Sequence, residues 1–300
     1  MIDTEHLNDT FGIEGELGFM EMEGDLVFVN IANKYADADI CLYGAHVSSF
    51  RPVRTMDILW MSPASEYREG TPIRGGIPVC FPWFGPHKTN SSLPQHGFGR
   101  LMYWDVLATE SLPNGETKLE LILKSSEKTK AYWPHDFEAV MRFVVGAKLQ
   151  VSLEVKNTGT EAFTYGCALH SYFAISDIAH IQIEGLQGLD YFDQLTGNTT
   201  KQQEELLQIN EALTRHYQNT ETPVVLADEG FRRRIRIEKA GSKVTTVWNP
   251  GEDSSKLIGD MPDDGFATFV CIEATNSFDF QIKLAAGESY ETKLLIGLED

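Results

Sequence analysis

Residues Lys148 to Gly159 read KLQVSLEVKNTG, with Leu149, Val151, Leu153 and Val155 at every second position and an Asn-Thr-Gly turn signal at the end. That two-residue period buries one face of an extended strand and wets the other, whereas a helix would repeat its apolar residues every three or four positions. The same alternation recurs at Leu119, Leu121 and Leu123, at Ile235 and Ile237, and at Phe280, Ile282 and Leu284. Turn-forming triplets punctuate the runs at Pro113-Asn114-Gly115, Asn249-Pro250-Gly251 and Ala286-Gly287-Glu288. Only Gln202 to Leu213 has a pattern compatible with a helix. Strands joined by hairpin-length links, without alternating helices, predict an all-β chain of stacked, mainly antiparallel sheets. No fixed-period repeat, low-complexity run or linker divides the chain, so residues 1–300 read as a single domain. The basic run Arg232 to Arg236 reads as a solvated or edge strand whose charges discourage unwanted pairing.

Composition narrows the classes of function. Apolar residues make up 42% of the chain, ample for a sizeable core. No basic segment followed by an apolar run opens the sequence, and no apolar stretch is long enough to span a bilayer; a cytoplasmic protein with no membrane association is expected. The cysteines at 41, 80, 167 and 271 are too scattered for CxxC motifs and are expected to be buried thiols. The eight histidines form no HxH or HExxH pair, so no metal site is expected. A net charge of −19 opposes nucleic-acid binding, which depends on cationic neutralisation of phosphates. Residues 51–100 nevertheless hold six Lys or Arg against three Asp or Glu, a local charge of +3. Such a window can draw a small anion that the rest of the molecule repels, although solvated charges would cluster similarly by chance.

That basic window contains two unusual stretches, RGGIPVCFPWFG from Arg74 to Gly85 and QHGFGR from Gln95 to Arg100. Glycines and prolines among bulky apolar residues cannot form a regular central strand. They suit a rigid wall that lets backbone approach a ligand while Trp83 or Phe84 offers a ring, or else an irregular crossing of the core. Arg74 and Arg100 each adjoin a glycine-containing bend, and a planar guanidinium suits bidentate contact with phosphate. Two titratable groups stand in apolar surroundings elsewhere, His170 in LHSYF and Glu273 in FVCIEATN. A glutamate on a buried strand is costly unless it is paired or used, and a histidine so placed is tuned for proton transfer.

The segments SPASEYREGTPIRGGIPVCFPWFG, QHGFGR, LHSYF and FVCIEATN, in that order, resemble the aldose 1-epimerase superfamily, and specifically its hexose-6-phosphate mutarotase branch. The resemblance runs from about residue 15 to the end. It implies a galactose-mutarotase-like β-supersandwich and cofactor-free interconversion of the α and β anomers of glucose 6-phosphate and similar sugars by a monomeric enzyme whose only partner is that small molecule. It further implies that His170 and Glu273 are the catalytic acid and base, with Glu273 the base at O1 and His170 the acid at the ring oxygen O5. Arg74, Gln95 and Arg100 fall at substrate-binding positions, and His96 and Asp193 are further candidates for contacts to sugar hydroxyls. Where many members carry E-x-D-R-x-Y, this chain reads EALTRHY, with Thr214 in place of the aspartate. That departure bears on one hydroxyl contact and on the choice of sugar. An epimerase of unphosphorylated sugars and a catalytically silent carbohydrate-binding protein are the alternatives.

Overall fold

The computed structural model describes residues 2–202 and 204–299. Its strands form sheets in which every paired neighbour is antiparallel among the described residues, two of them eight-stranded. The outer eight-stranded sheet runs, in spatial order, Ile181–Glu184, Val224–Asp228, Arg233–Ala240, Ser289–Leu298, Lys148–Asn157, Phe137–Val145, Thr117–Lys124 and Asp105–Ser111. Here the expected alternation is realised, with Leu149, Val151, Leu153 and Val155 all buried.

The second large sheet runs Asn198–Lys201, Asp190–Asp193, Leu213–Gln218, Val244–Asn249, Phe269–Asn276, Cys167–Leu169 and Val79–Cys80, with Tyr172–Ala174 also paired to Phe269–Asn276. A four-stranded sheet from Leu17 to Pro52 packs into the same hydrophobic cluster as both large sheets, so one continuous core lies between stacked layers. All four cysteines are buried and free, as expected.

Three details differ from expectation. Residues 204–212 contain no helix, and Gln203 lies outside the described residues. Leu207 instead bridges to Ile183, and Leu207, Ile209 and Leu213 turn into the core at a spacing no helical face provides. The basic run is no edge: Arg233–Ala240 is paired on both sides. Its arginines are tolerated there because Arg234 meets Glu184 and Glu299, Arg236 meets Glu238 and Glu299, and Arg233 donates to the carbonyls of Asp57 and Ala174. Phe280 closes a short turn, Phe278–Phe280, before the strand Ile282–Leu284 begins.

The stretch from Arg74 to Gly85 is stitched across the end of the second sheet by backbone bonds rather than by a long ladder. Gly76 N donates to Trp60 O (2.7 Å), Tyr172 N to Gly76 O (2.8 Å) and His170 N to Pro78 O (3.1 Å). Gly76 has φ +60°, and a β-carbon there would sit 2.1 Å from Val47 O. Only glycine lets these backbones approach so closely.

Candidate active site

Register in the second sheet assembles the site. Phe192 lies opposite His216, His216 opposite Thr246, and Thr246 opposite Glu273. Directly opposed residues of antiparallel strands point to the same face, so these side chains form a row across four strands. Leu169 pairs with Ala274, and Ile272 N donates to Ser171 O, which brings His170 to the end of the row beside Glu273. A second row, Thr214, Trp248, Cys271 and Tyr172, runs alongside. The two rows floor a cavity of about 770 Å³. Arg74, Trp83, Phe84, Lys88, Gln95, His96 and Arg100, from the glycine-rich wall and the segment after it, stand around that floor.

His170 Nδ1 is 3.5 Å from Glu273 Oε1, and the two residues are only 7% and 1% exposed. Among the described residues, His170 Nδ1 and Glu273 Oε2 have no hydrogen-bond partner. Burial holds the Glu273 carboxyl well above the ordinary carboxylate range. It also drives His170 well below the usual imidazole value, and repulsion from the Arg100 and Arg74 guanidiniums adds to the effect. Their separation would suit an ion pair, but with no compensating hydrogen bond among the described residues desolvation prevails and biases both groups towards their neutral forms. The His170 ring lies flat on Tyr172, with centroids 4.9 Å apart and planes 9° apart, and the edge of Trp248 closes another side. The imidazole is therefore held in one orientation.

His96 is also neutral, pushed down to about 3 by burial and then by Arg100 and Arg74. Its Nδ1 accepts the Gly85 backbone N–H at 3.2 Å, which leaves the ring proton on Nε2. Arg74 donates through Nε to Asp260 Oδ1 and through Nη1 to the Tyr172 hydroxyl, each at 3.0 Å. Burial works against its charge, but Tyr172 and Asp260 more than offset that and keep the guanidinium protonated. Arg100 Nη2 donates to Gln95 O at 2.9 Å, while its buried Nε has no partner among the described residues.

Two neutral proton carriers, a rigid aromatic floor and cationic walls are parts for moving protons on a polyol. The family profile described as aldose 1-epimerase matches residues 28–297. The chain belongs to the aldose 1-epimerase family. Its relatives include a protein of Salmonella typhimurium named "Putative glucose-6-phosphate 1-epimerase", 37% identical over 252 residues that make up 83% of each chain. A protein of Escherichia coli K12 with the same name is 35% identical over 262 residues, 86% of this chain and 85% of that one. Among solved structures, "a putative mutarotase (YeaD) from Salmonella typhimurium" superposes with a TM-score of 0.89 at 31% identity, covering 97% of this chain and 96% of the other. Within the aldose 1-epimerase family the chain therefore stands in the glucose-6-phosphate 1-epimerase branch, with the galactose-mutarotase-like stacked-sheet fold.

The cavity of this family member gathers His170, Glu273, Arg74, Gln95, His96, Arg100 and Thr214. Asp193 is the exception: its Oδ1 accepts the backbone N–H groups of Leu195 and Thr196 and caps the hairpin turn, outside the cavity lining. A short acidic side chain at the start of a tight turn satisfies nearby backbone donors first. Its neighbours Phe192 and Gln194 reach the cavity instead. His216, Thr246, Trp248 and Lys88 also line it, and Asp260 holds Arg74 from outside the lining. Sequence reasoning missed these. Alternation from Thr214 reaches His216, and alternation along VTTVWN reaches Thr246 and Trp248, so that signal was present.

Proposed function

We propose that the protein interconverts the α and β anomers of aldohexose 6-phosphates such as glucose 6-phosphate. Family membership supports sugar anomer isomerisation in general. The observation that carries the phosphorylated substrate is the charge of the cavity: Arg74, Lys88 and Arg100 line it, and Glu273 is the one carboxylate among the described lining residues. A dianionic phosphate is favoured in such a place, and the names of the relatives agree.

The reaction requires one proton to leave the C1 hydroxyl and one to reach the ring oxygen. In ring opening, Glu273 takes the proton from O1 while the C1–O5 bond breaks and His170 gives a proton to O5. The electron pair of the C1–O5 bond stays on O5, and the O1–H pair forms the aldehyde. Rotation about C1–C2 presents the other face of the aldehyde, and the same two transfers in reverse close the ring. The pair faces the cyclic sugar as carboxylate and imidazolium and faces the open chain as two neutral groups. Burial that favours the neutral pair thus favours ring opening, and each transfer contributes roughly 10²–10⁴-fold in rate.

Anomer exchange followed by NMR on glucose 6-phosphate and glucose side by side tests the reading. Exchange well above the spontaneous rate, with phosphorylated sugar preferred, supports it. Equal rates on both sugars favour a plain aldose 1-epimerase, for which the Arg74–Asp260 ion pair is structural. Binding without exchange favours the silent carbohydrate-binding protein.

A further inference from the structure

We infer that the Gln194 carboxamide is a specificity-determining hydrogen-bond donor to a substrate hydroxyl, aimed into the cavity by a chain of buried side chains. Thr275 Oγ1 donates to Thr246 Oγ1 at 3.1 Å, Thr246 Oγ1 meets His216 Nδ1 at 2.9 Å, and His216 Nε2 meets Gln194 Oε1 at 2.9 Å. An amide oxygen can only accept, so His216 Nε2 must carry the hydrogen. A neutral imidazole then presents a bare Nδ1, and the Thr246 hydroxyl donates to it while accepting from Thr275. Every link of the chain has one sense. His216 is fully buried, and burial holds it neutral at about 4, in keeping with a single tautomer.

The end of this chain fixes the amide. With Oε1 occupied by His216, both hydrogens of Gln194 Nε2 remain, and no partner for them occurs among the described residues. Gln194 N also donates to Thr214 O at 2.9 Å, which pins its backbone beside the position where a carboxylate would stand in the E-x-D-R-x-Y pattern. A carboxylate there would accept from a sugar hydroxyl. This wall instead offers an amide N–H, which can only donate and so reads the hydroxyl oxygen as an acceptor, beside the Thr214 hydroxyl, which can do either. Gln194 and Thr214 both line the cavity at the far end of the row from His170.

The inference rests on the proposed sugar-phosphate substrate, and the test separates the two. Glucose 6-phosphate and its 2-, 3- and 4-deoxy analogues are titrated calorimetrically into the native protein and Gln194→Ala, with NMR exchange measured in parallel. Loss of a neutral hydrogen bond weakens binding by ~2- to 13-fold. Gln194→Ala should weaken glucose 6-phosphate by that factor, chiefly in KM. One deoxy analogue should bind the native protein more weakly by a similar factor, yet bind Gln194→Ala no more weakly than glucose 6-phosphate does. Equal losses for every analogue in native protein and Gln194→Ala, or unchanged binding in Gln194→Ala, would overturn the inference even where exchange is fast. The expected pattern without exchange would sustain the donor and sink the mutarotase reading, and failure of the native protein to bind any of these sugars would sink both.

Discussion

Replacing Glu273 by Gln should cut activity and raise stability, and the combination separates a working carboxyl from a structural one. The amide matches the acid in shape, and the site is 1% exposed with Oε2 lacking a partner among the described residues, so little repacking follows. Exchange should fall by roughly 10²-fold or more, because the amide cannot take the O1 proton. The stability change has a definite sign. The folded-state pKa lies above its ordinary 4.5, so above that pH the native state retains a proton that the unfolded chain has released. Stability therefore declines as pH rises from 4.5 towards the raised value, at the linkage slope of about 1.4 kcal/mol per pH unit for one proton, and levels off beyond it. The Glu273→Gln variant carries no such penalty. At the usual unfolding entropy per residue, a 300-residue chain gains about 1.6 °C in Tm per kcal/mol, so the variant's advantage should grow by about 2 °C per pH unit over that interval and vanish below pH 4. Thermal melts of both proteins from pH 4 to 8, alongside NMR exchange, measure the two effects. Parallel melting curves at all pH values would refute the neutral carboxyl, and near-normal exchange would remove Glu273 from the chemistry.

The other predictions concern the rest of the cavity. Arg74→Ala and Arg100→Ala should each weaken glucose 6-phosphate by about 10- to 150-fold while changing glucose far less, in calorimetric titrations; equal losses for the two sugars would end the phosphate assignment. Thr214→Asp should narrow the choice among hexose 6-phosphates more than it raises kcat, as judged by kcat/KM across a substrate panel. If that change instead creates exchange where the native protein has none, the silent binding reading is right. Histidine NMR titration should show the His170 pKa rising when inorganic phosphate is added, and an unmoved His170 would separate the arginines from the acid/base pair.

Much of the fold was legible because a two-residue period leaves a direct mark on sequence. Leu149 to Val155 and Leu119 to Leu123 are strands whose apolar residues are buried. The stretch after Gln202 misled because Leu207, Ile209 and Leu213 follow a path set by the bridge to Ile183 and by the core, and the sequence does not announce that long-range contact. His170 and Glu273 could be singled out because a titratable group among apolar neighbours is unusual in itself. Asp260 could not: it reaches Arg74 across 186 residues of sequence, and an aspartate in a polar loop carries no local sign of that contact. Asp193 shows the converse, since an acidic residue near a hairpin was equally suited to a sugar and to its own turn, and its oxygen went to the turn.

On the proposed function, the charge layout gives a reason for phosphate recognition and proton transfer to share one cavity. Arg74 and Arg100 both act to lower the His170 pKa, after the larger effect of burial. The neutral pair that results is the state suited to an open-chain sugar, whereas a cyclic sugar must meet carboxylate and imidazolium. A phosphate dianion bound to those arginines cancels the positive field that His170 experiences, and its own charge favours the imidazolium. Substrate binding would then bring the pair towards the ionised form that starts ring opening, while burial continues to pull it back to the neutral form that follows. An unphosphorylated sugar leaves the arginine field in place and begins the reaction from a less populated state. On this reasoning the preference for phosphorylated sugar should appear in kcat as well as in KM, and a preference confined to KM would mean that the arginines bind the phosphate without acting on His170.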